Sequence, residues 1–477
     1  MNYFSEMKNP AILESKILEF FKHKPTSDQL SGINKLSRFV LYDKKKVGLV
    51  IKGYAGTGKT TMISSLVKAC KQLNIKTVLM APTGRAAKVM GNYSNAAAST
   101  IHRLIYRVKN ENDQFYFELA ENRHKNSLFI VDESSMVFGD STIVKGMGSS
   151  DLLCDLMRFV YSSSGCKIIF VGDHAQLPPV GWNNSPALDV DYLNENFEED
   201  FYAFELTQVV RQERGSGILA EATAIRNNIE VDDVLLDIDV KHHDITSVEH
   251  LDAQDFIESA FSQKKNAVII CRSNKRANQY NNEIRRNVLW HEDEINAGDL
   301  IMAVKNNYFW LTINKLEGFI ANGDILEVKS VSNTEEKYGF RFTDLTLSFV
   351  DNDHAGQFTC KVVLDSLYTD GPNLSSNKIK DLFFEIEKDY SYINGRKERK
   401  LATLSSPYLN ALQIKFSYAL TCHKAQGGQW GHVFVDHGYL PEKSINVDFL
   451  RWMYTSFTRA EEHLYLLNFS QNFILKN

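Results

Sequence analysis

The sequence predicts an α/β protein whose parallel sheets are flanked by helices, and three observations carry that prediction. Short apolar runs at Val47–Ile51, Thr77–Met80, Leu128–Val131 and Lys167–Val171 alternate with longer segments of helical periodicity. Small, polar or charged residues follow each run directly, as happens where parallel strands end at a ligand cleft. One of these endings, Gly53-Tyr54-Ala55-Gly56-Thr57-Gly58-Lys59-Thr60, matches the pattern G-x-x-x-x-G-K-[ST] at every fixed position.

At 477 residues the chain exceeds what one hydrophobic core supports, so two to four domains are expected. Hydrophobic residues at 43% and charged residues at 24% are those of a globular protein, which excludes disorder as the default. A net charge of −5 neither favours nor excludes nucleic acid, because a local basic groove is hidden in the sum. The six cysteines are scattered without a C-x-x-C pair and read as reduced thiols, not as a zinc site or a disulfide framework. Met1–Lys24 mixes acidic and basic residues and lacks the apolar centre of a signal peptide. No apolar run reaches the roughly eighteen residues of a membrane span, so the expectation is an intracellular protein with no membrane partner.

The phosphate-loop pattern lies between an apolar strand and a segment, Thr61–Leu73, that reads as a helix. That context suits its chemistry. The backbone of Gly53, Ala55, Gly56, Thr57 and Gly58 turns N–H groups toward phosphate oxygens, and the helix start at Thr61 adds its positive end. Lys59 reaches the terminal phosphates, and Thr60 offers a hydroxyl to Mg²⁺. The predicted ligand is a nucleoside triphosphate. Ahead of the loop, residues 12–23 read as a short helix ended by Lys24-Pro25-Thr26, and Ser27 or Thr26 caps a second helix to about Leu41.

The later strand endings add candidate groups. Ala81-Pro82-Thr83-Gly84-Arg85 breaks the second strand and starts a helix, and Thr83, Arg85 and Lys88 suit a phosphate backbone. Thr100, His102 and Arg103 form a further polar cluster. Ile105–Val108 and Phe115–Leu119 flank the turn-forming Asn110-Glu111-Asn112-Asp113, which predicts a β-hairpin. Its aromatics Phe115, Tyr116 and Phe117 serve either as a stacking wedge or as a cover for the domain beneath. The third strand delivers Asp132-Glu133, one carboxylate for Mg²⁺ and one to polarise the attacking water. The fourth ends in Gly172-Asp173-His174-Ala175-Gln176, where Asp173 and Gln176 are candidates for sensing the γ-phosphate. Arg211, after Phe204–Val210, is placed to neutralise transition-state charge.

In this order and at these spacings, Gly53–Thr60, Asp132-Glu133-Ser134, Gly172–Gln176 and Val210-Arg211-Gln212 resemble the superfamily one helicases, most of all the branch of RecD-like enzymes and the phage Dda helicase. The resemblance implies that Gln29 is the adenine-reading glutamine. It also implies a second RecA-like domain, and Asn266–Asn274 reads as that domain's first strand and turn. From about Gly298 to Thr403 short β-like runs intervene (Asp299–Val304, Ile325–Val331, Phe340–Phe349 and Thr359–Leu364), where the family carries a Src-homology-3-like barrel. The basic segment 376–403 is either a solvated face or a DNA-facing arm. Phe416–Gln429 then matches the family's penultimate motif, which places Thr421, His423 and Lys424 toward DNA and Gln426 and Gly427 near the γ-phosphate. Met453–Ala460 resembles the last motif, with Arg459 as the arginine finger.

The expected organisation is therefore an N-terminal helical extension at 1–25 and a first RecA-like domain at 26–230 with a hairpin insertion near 104–127. A second RecA-like domain spans 231–299 and 411–477, interrupted by a barrel and arm at 300–410. The family resemblance implies a compact, monomeric, nucleoid-associated DNA helicase that uses ATP and Mg²⁺ and acts on single-stranded DNA and single/double-strand junctions, with replication or repair proteins as partners. Its direction, 5′ to 3′, comes from the family branch alone. Stacking of about 1–3 kcal/mol per base supplies grip, set against about 1.4 kcal/mol per base-pair step for the hairpin to split. Two rivals are a helicase-nuclease, for which no segment long enough is found, and a nucleotide-gated DNA-binding switch or translocase without unwinding.

Overall fold

The structure, a computed structural model, describes residues 9–475 apart from 112–113, 139–150, 211–215, 230, 232–235, 264–265, 317–318, 351–355 and 441–444. For 108–111 and 114–117 it describes the backbone alone. Two compact units emerge: Met1–Arg107, Glu118–Val234 and Val447–Thr458 form the first, and Val108–Phe117, Leu235–Asn446 and Arg459–Asn477 form the second.

Strands β1 (Val47–Gly53), β2 (Lys76–Ala81) and β3 (Ala98–Thr100) of the first unit precede the hairpin pair β4 (Tyr106–Glu111) and β5 (Gln114–Leu119), whose residues Val108–Phe117 are assigned to the second unit. Then come β6 (Ser127–Val131), β7 (Lys167–Gly172) and β8 (Asp200–Leu206). The sheet runs β3-β2-β6-β7-β1-β8 and every pairing in it is parallel. Apolar side chains alternate between its faces: Leu49, Ile51, Leu128 and Ile130 pack into one core, and Val50, Phe129 and Val131 into the other. Because all strands point the same way, each motif of the first half leaves the sheet at one edge. The hairpin forms as predicted, except that Ile105 ends a short helix, Ile101–Ile105, instead of starting the strand.

Helix boundaries shift from the expected positions for local reasons. The first helix runs Pro10–Phe20 rather than 12–23, because Asn9 accepts a hydrogen bond from the Ala11 amide and Pro10 supplies a preset φ. Thr26, not Ser27, caps the helix Ser27–Leu41, in a reciprocal capping box with Gln29. The loop helix begins at Lys59, two residues earlier than expected, because Gly58 at φ +85° provides the left-handed turn into it.

The second unit holds a parallel five-stranded sheet and a small closed barrel. Its strands are β9 (Ile245–Val248), β10 (Ala267–Cys271), β11 (Leu300–Ala303), β12 (Ile325–Lys337), β13 (Phe340–Phe349), β14 (Gln357–Val363), β15 (Leu412–Phe416), β16 (Ala419–Thr421), β17 (Trp430–Asp436) and β18 (Ala460–Leu467). The sheet order is β16-β10-β17-β18-β9, and β11 to β15 close the barrel. The barrel extends past residue 410, since β15 pairs with both β11 and β14. The basic segment is two helices, Ser376–Asp389 and Arg396–Leu404. Leu382 and Ile386 of the first pack beside Phe340, Phe342 and Val363 of the barrel.

A buried ionic cluster marks where barrel and sheet join. Arg285 Nε lies 2.9 Å from Asp299 Oδ1, with Asp299 wholly buried. The same carboxylate receives the Tyr418 hydroxyl at 3.0 Å and the Asn296 amide at 2.8 Å, and lies 3.0 Å from His291 Nδ1. Arg285 also donates to Asn296 and to the Asp293 carbonyl. Arg285 lies on the helix Ile284–Val288 and Asp299 immediately precedes β11, so the charge pair ties that helix to the start of the strand.

Candidate functional site

The phosphate loop is preformed around Lys59. The ammonium donates to the Gly53 and Tyr54 carbonyls at 2.5 and 2.8 Å, holding the side chain inside the loop. Gly56 and Gly58 have φ +75° and +85°, and an added Cβ at Gly58 would stand 2.4 Å from Gln29 Nε2. Thr57 Oγ1 donates to the Tyr54 carbonyl at 2.8 Å, while the Thr60 hydroxyl is on an exposed residue and Thr61 is half-buried. Gln29 is nearly enclosed. Its oxygen accepts from the Thr26 amide at 3.0 Å and its nitrogen donates to the Thr57 carbonyl at 2.9 Å, leaving that NH₂ a second hydrogen.

Asp132 and Glu133 follow β6 at the same sheet edge. Asp132 Oδ1 accepts the Glu133 amide at 2.9 Å, and Oδ2 accepts the phenol of Tyr93. Burial and the Asp132 charge push the Tyr93 pKa well above its ordinary value, so the phenol stays a donor. Glu133 sits at φ +50°, a left-handed conformation that costs a side-chain-bearing residue about 1–2 kcal/mol and is typical of functional turns.

Asp173 is buried after β7, with Oδ1 on the Ala175 amide at 3.0 Å and Oδ2 accepting the Tyr454 phenol at 2.6 Å. The Tyr454 oxygen also accepts the Ala55 amide at 2.8 Å, so one phenol spans the phosphate loop and the Asp173 turn. Thr455, its neighbour on the helix Val447–Phe457, accepts the Leu177 amide at 2.9 Å. Gln176 is 5% exposed, and its amide oxygen has no hydrogen-bond partner among the described residues. A buried acceptor without a donor is costly and fits a site awaiting one, such as a water or a ligand hydroxyl. Arg211 lies outside the described residues.

The candidate nucleic-acid contacts of the first unit gather at two neighbouring strand ends, since Ala81 pairs with Thr100. Pro82 and Arg85 are half-buried there. Thr83 and Thr100 both cap helices, accepting the Ala86 and Arg103 amides at 3.2 Å. In both the hydroxyl oxygen acts as acceptor, which leaves its hydrogen able to donate. Burial lowers the His102 pKa to about 4, so the ring is neutral at physiological pH. Phe115, Tyr116 and Phe117 lie on β5, and their side chains fall outside the described part.

In the second unit Thr421 pairs with Cys271 at a strand end and leads into the short helix Cys422–Ala425, which carries the exposed His423. Lys424 Nζ is buried without a hydrogen-bond partner among the described residues, and burial, followed by the nearby Lys415, lowers its pKa to about 8. Gln426 is buried, and Gly427 turns at φ +73°. Arg459 is 4% exposed and donates to the Gly428 carbonyl at 3.3 Å, which sets it against this same turn.

These residues fit a nucleoside triphosphate with a divalent cation. The loop offers an ammonium and inward-turned amides for phosphates, and Thr60 and Asp132 offer one hydroxyl and one carboxylate. That sparse donor set suits Mg²⁺, which takes one or two protein oxygens alongside phosphates and water. Tyr93, Tyr454 and Thr455 are absent from the sequence-derived site. Tyr454 stood within a motif but gave no sign of its partner, and Tyr93 gave none at all.

Comparison with known proteins gives a consistent set of likenesses. The family described as AAA domain matches residues 39–250, and that of the UvrD-like helicase C-terminal domain matches 416–467. Protein R530 of Acanthamoeba polyphaga mimivirus is 25% identical over 92% of this chain and 98% of its own length. The RecBCD enzyme subunit RecD of Buchnera aphidicola (Schizaphis graminum) is 24% identical over 97% of this chain and 80% of that protein. The ATP-dependent DNA helicase dda of phage T4 is 28% identical over 54% of this chain, and the match spans 56% of the phage protein.

Proposed function

The chain belongs to the superfamily one helicases, and from that premise we propose that it hydrolyses ATP to translocate on single-stranded DNA, 5′ to 3′, and to unwind duplex DNA. The observation that carries this reading is the first unit's strand-end edge. It brings a preformed phosphate loop, the Asp132-Glu133 pair, the Asp173–Gln176 turn and the Thr83 and Thr100 hydroxyls to one side of one sheet.

In this reading the loop amides and Lys59 bind the phosphates, and Gln29 reads the adenine. Thr60 and Asp132 hold Mg²⁺, which supplies charge neutralisation on the phosphates. Glu133 takes a proton from the attacking water, and the Gln176 oxygen orients that water by accepting its hydrogen. Arg459 and Arg211 offset charge developing in the transition state, as expected of pre-placed cations in phosphoryl transfer. Thr83, Arg85, Thr421, His423 and Lys424 contact the DNA backbone without reading sequence. Phe115, Tyr116 or Phe117 forms the wedge at the junction.

The test is ATP hydrolysis with and without single-stranded DNA. Hydrolysis stimulated by DNA, and abolished by Lys59→Ala and Arg459→Ala, is the expected result. Unchanged turnover in Lys59→Ala would overturn the site.

A further inference from the structure

Tyr93 joins three parts of the site that sequence motifs treat as separate. It sits in the last turn of the helix Gly84–Ser94, whose cap is Thr83 and whose first turn holds Arg85. Its phenol donates to Asp132 Oδ2. Its carbonyl accepts Ser64 Oγ at 2.6 Å, and Ser64 lies on the helix that begins at Lys59. One residue thus touches the candidate metal carboxylate and the phosphate-loop helix while standing at the far end of the candidate DNA-contacting helix.

The physical consequence follows from stiffness. Thr83 and Tyr93 are separated by about 15 Å of helix, a length over which an α-helix moves as a rod. A carboxylate that ligates a metal is oriented by the hydrogen bonds on its other lone pairs, and losing such a partner typically weakens metal binding about 10–100-fold. Among the described residues, the side chain of Asp132 is held by this phenol and by the Glu133 amide.

We propose that Tyr93 is a positioning residue that holds the Asp132 carboxylate in its metal-ligating orientation and passes engagement of DNA at Thr83–Arg85 to that carboxylate. The inference rests on the functional reading above, in which Asp132 serves Mg²⁺ and Thr83–Arg85 faces DNA. It concerns a contact that the phosphate-loop and strand-end motifs do not contain.

The experiment uses the full chain as wild type, Tyr93→Phe, Asp132→Asn and the double variant. Mn²⁺ binding in the presence of ADP is read by electron paramagnetic resonance, and ATP hydrolysis is measured with and without oligo(dT). Tyr93→Phe keeps the ring and removes only the donor. The expected result is an Mn²⁺ dissociation constant raised about tenfold, a reduced stimulation by oligo(dT), and no further loss of Mn²⁺ affinity when Tyr93→Phe is added to Asp132→Asn. Wild-type Mn²⁺ affinity and stimulation in Tyr93→Phe would overturn the proposal. So would an equal additional loss in the Asp132→Asn background, or loss of metal-free ADP binding, because either assigns Tyr93 a general packing role. A wild-type chain that oligo(dT) fails to stimulate would sink the functional reading instead, while the Mn²⁺ arm, which needs no DNA, still decides the Tyr93–Asp132 pairing.

Discussion

Tyr454 and Asp173, 281 residues apart in the chain, share a 2.6 Å hydrogen bond in which the phenol donates to a carboxylate that is almost wholly buried. The same phenol oxygen accepts the Ala55 amide, so the last motif's helix is bolted to the phosphate loop through a single atom. Burial and the Asp173 charge raise the Tyr454 pKa well above its ordinary value, which keeps the bond intact across the working pH range.

Replacing Tyr454 with Phe should therefore do two things. It strands a buried carboxylate oxygen and a loop amide, at a cost of about 1–3 kcal/mol for an unsatisfied group. It also frees the loop, and ATP turnover should fall about tenfold, a loss of about 1.4 kcal/mol of transition-state stabilisation. Thermal melting and steady-state ATPase kinetics check the pair. A variant that melts lower but turns over normally would confine Tyr454 to stability.

Gln176→Met, of similar volume, removes a buried amide oxygen that meets no donor among the described residues. Hydrolysis should drop at least tenfold with the KM for ATP little changed, since the lost contact serves the attacking water. A matching rise in KM would place Gln176 in ground-state nucleotide binding.

At the barrel's junction with the sheet, Arg285→Met should be strongly destabilising. It leaves the fully buried Asp299 without its guanidinium, a class of change that costs about 3–5 kcal/mol. The double variant Arg285→Met/Asp299→Leu should recover much of that loss, because it removes both charges together. Urea unfolding of the three proteins measures the difference.

His102 gives the fold an acid sensitivity whose sign is fixed. Its folded pKa of about 4 lies below the usual 6.5, because burial disfavours the charged ring. Above pH 6.5 the ring is neutral folded and unfolded, and it contributes no pH dependence. As pH falls from 6.5 toward 4 the unfolded chain takes up a proton that the folded one does not, so stability declines across that window and levels off below it. His102→Gln should flatten this part of a melting-temperature profile.

How much of this was legible in the sequence depends on the range of the interaction. The phosphate loop, the strand that leads into it and the Asp132-Glu133 ending are written in contiguous residues, because backbone turns and strand burial are local. The parallel sheets and the small barrel followed from apolar runs and their spacing. The capping box with Gln29 decides for Thr26 between the two caps the sequence offers, and the phosphate-loop helix starts two residues earlier than periodicity places it, because a left-handed glycine leads into it. Tyr93 and Tyr454 were illegible for another reason. Their partners lie 39 and 281 residues away, and a tyrosine in an amphipathic helix looks the same whether it packs or donates.

The central claim is that this chain converts ATP hydrolysis into strand separation, and strand displacement from tailed duplexes tests it most directly. With ATP and Mg²⁺ the wild-type chain should release the labelled strand from a duplex bearing a 5′ single-stranded tail, and Lys59→Ala should not. Hydrolysis stimulated by DNA with no displacement from either a 5′ or a 3′ tail would contradict the account.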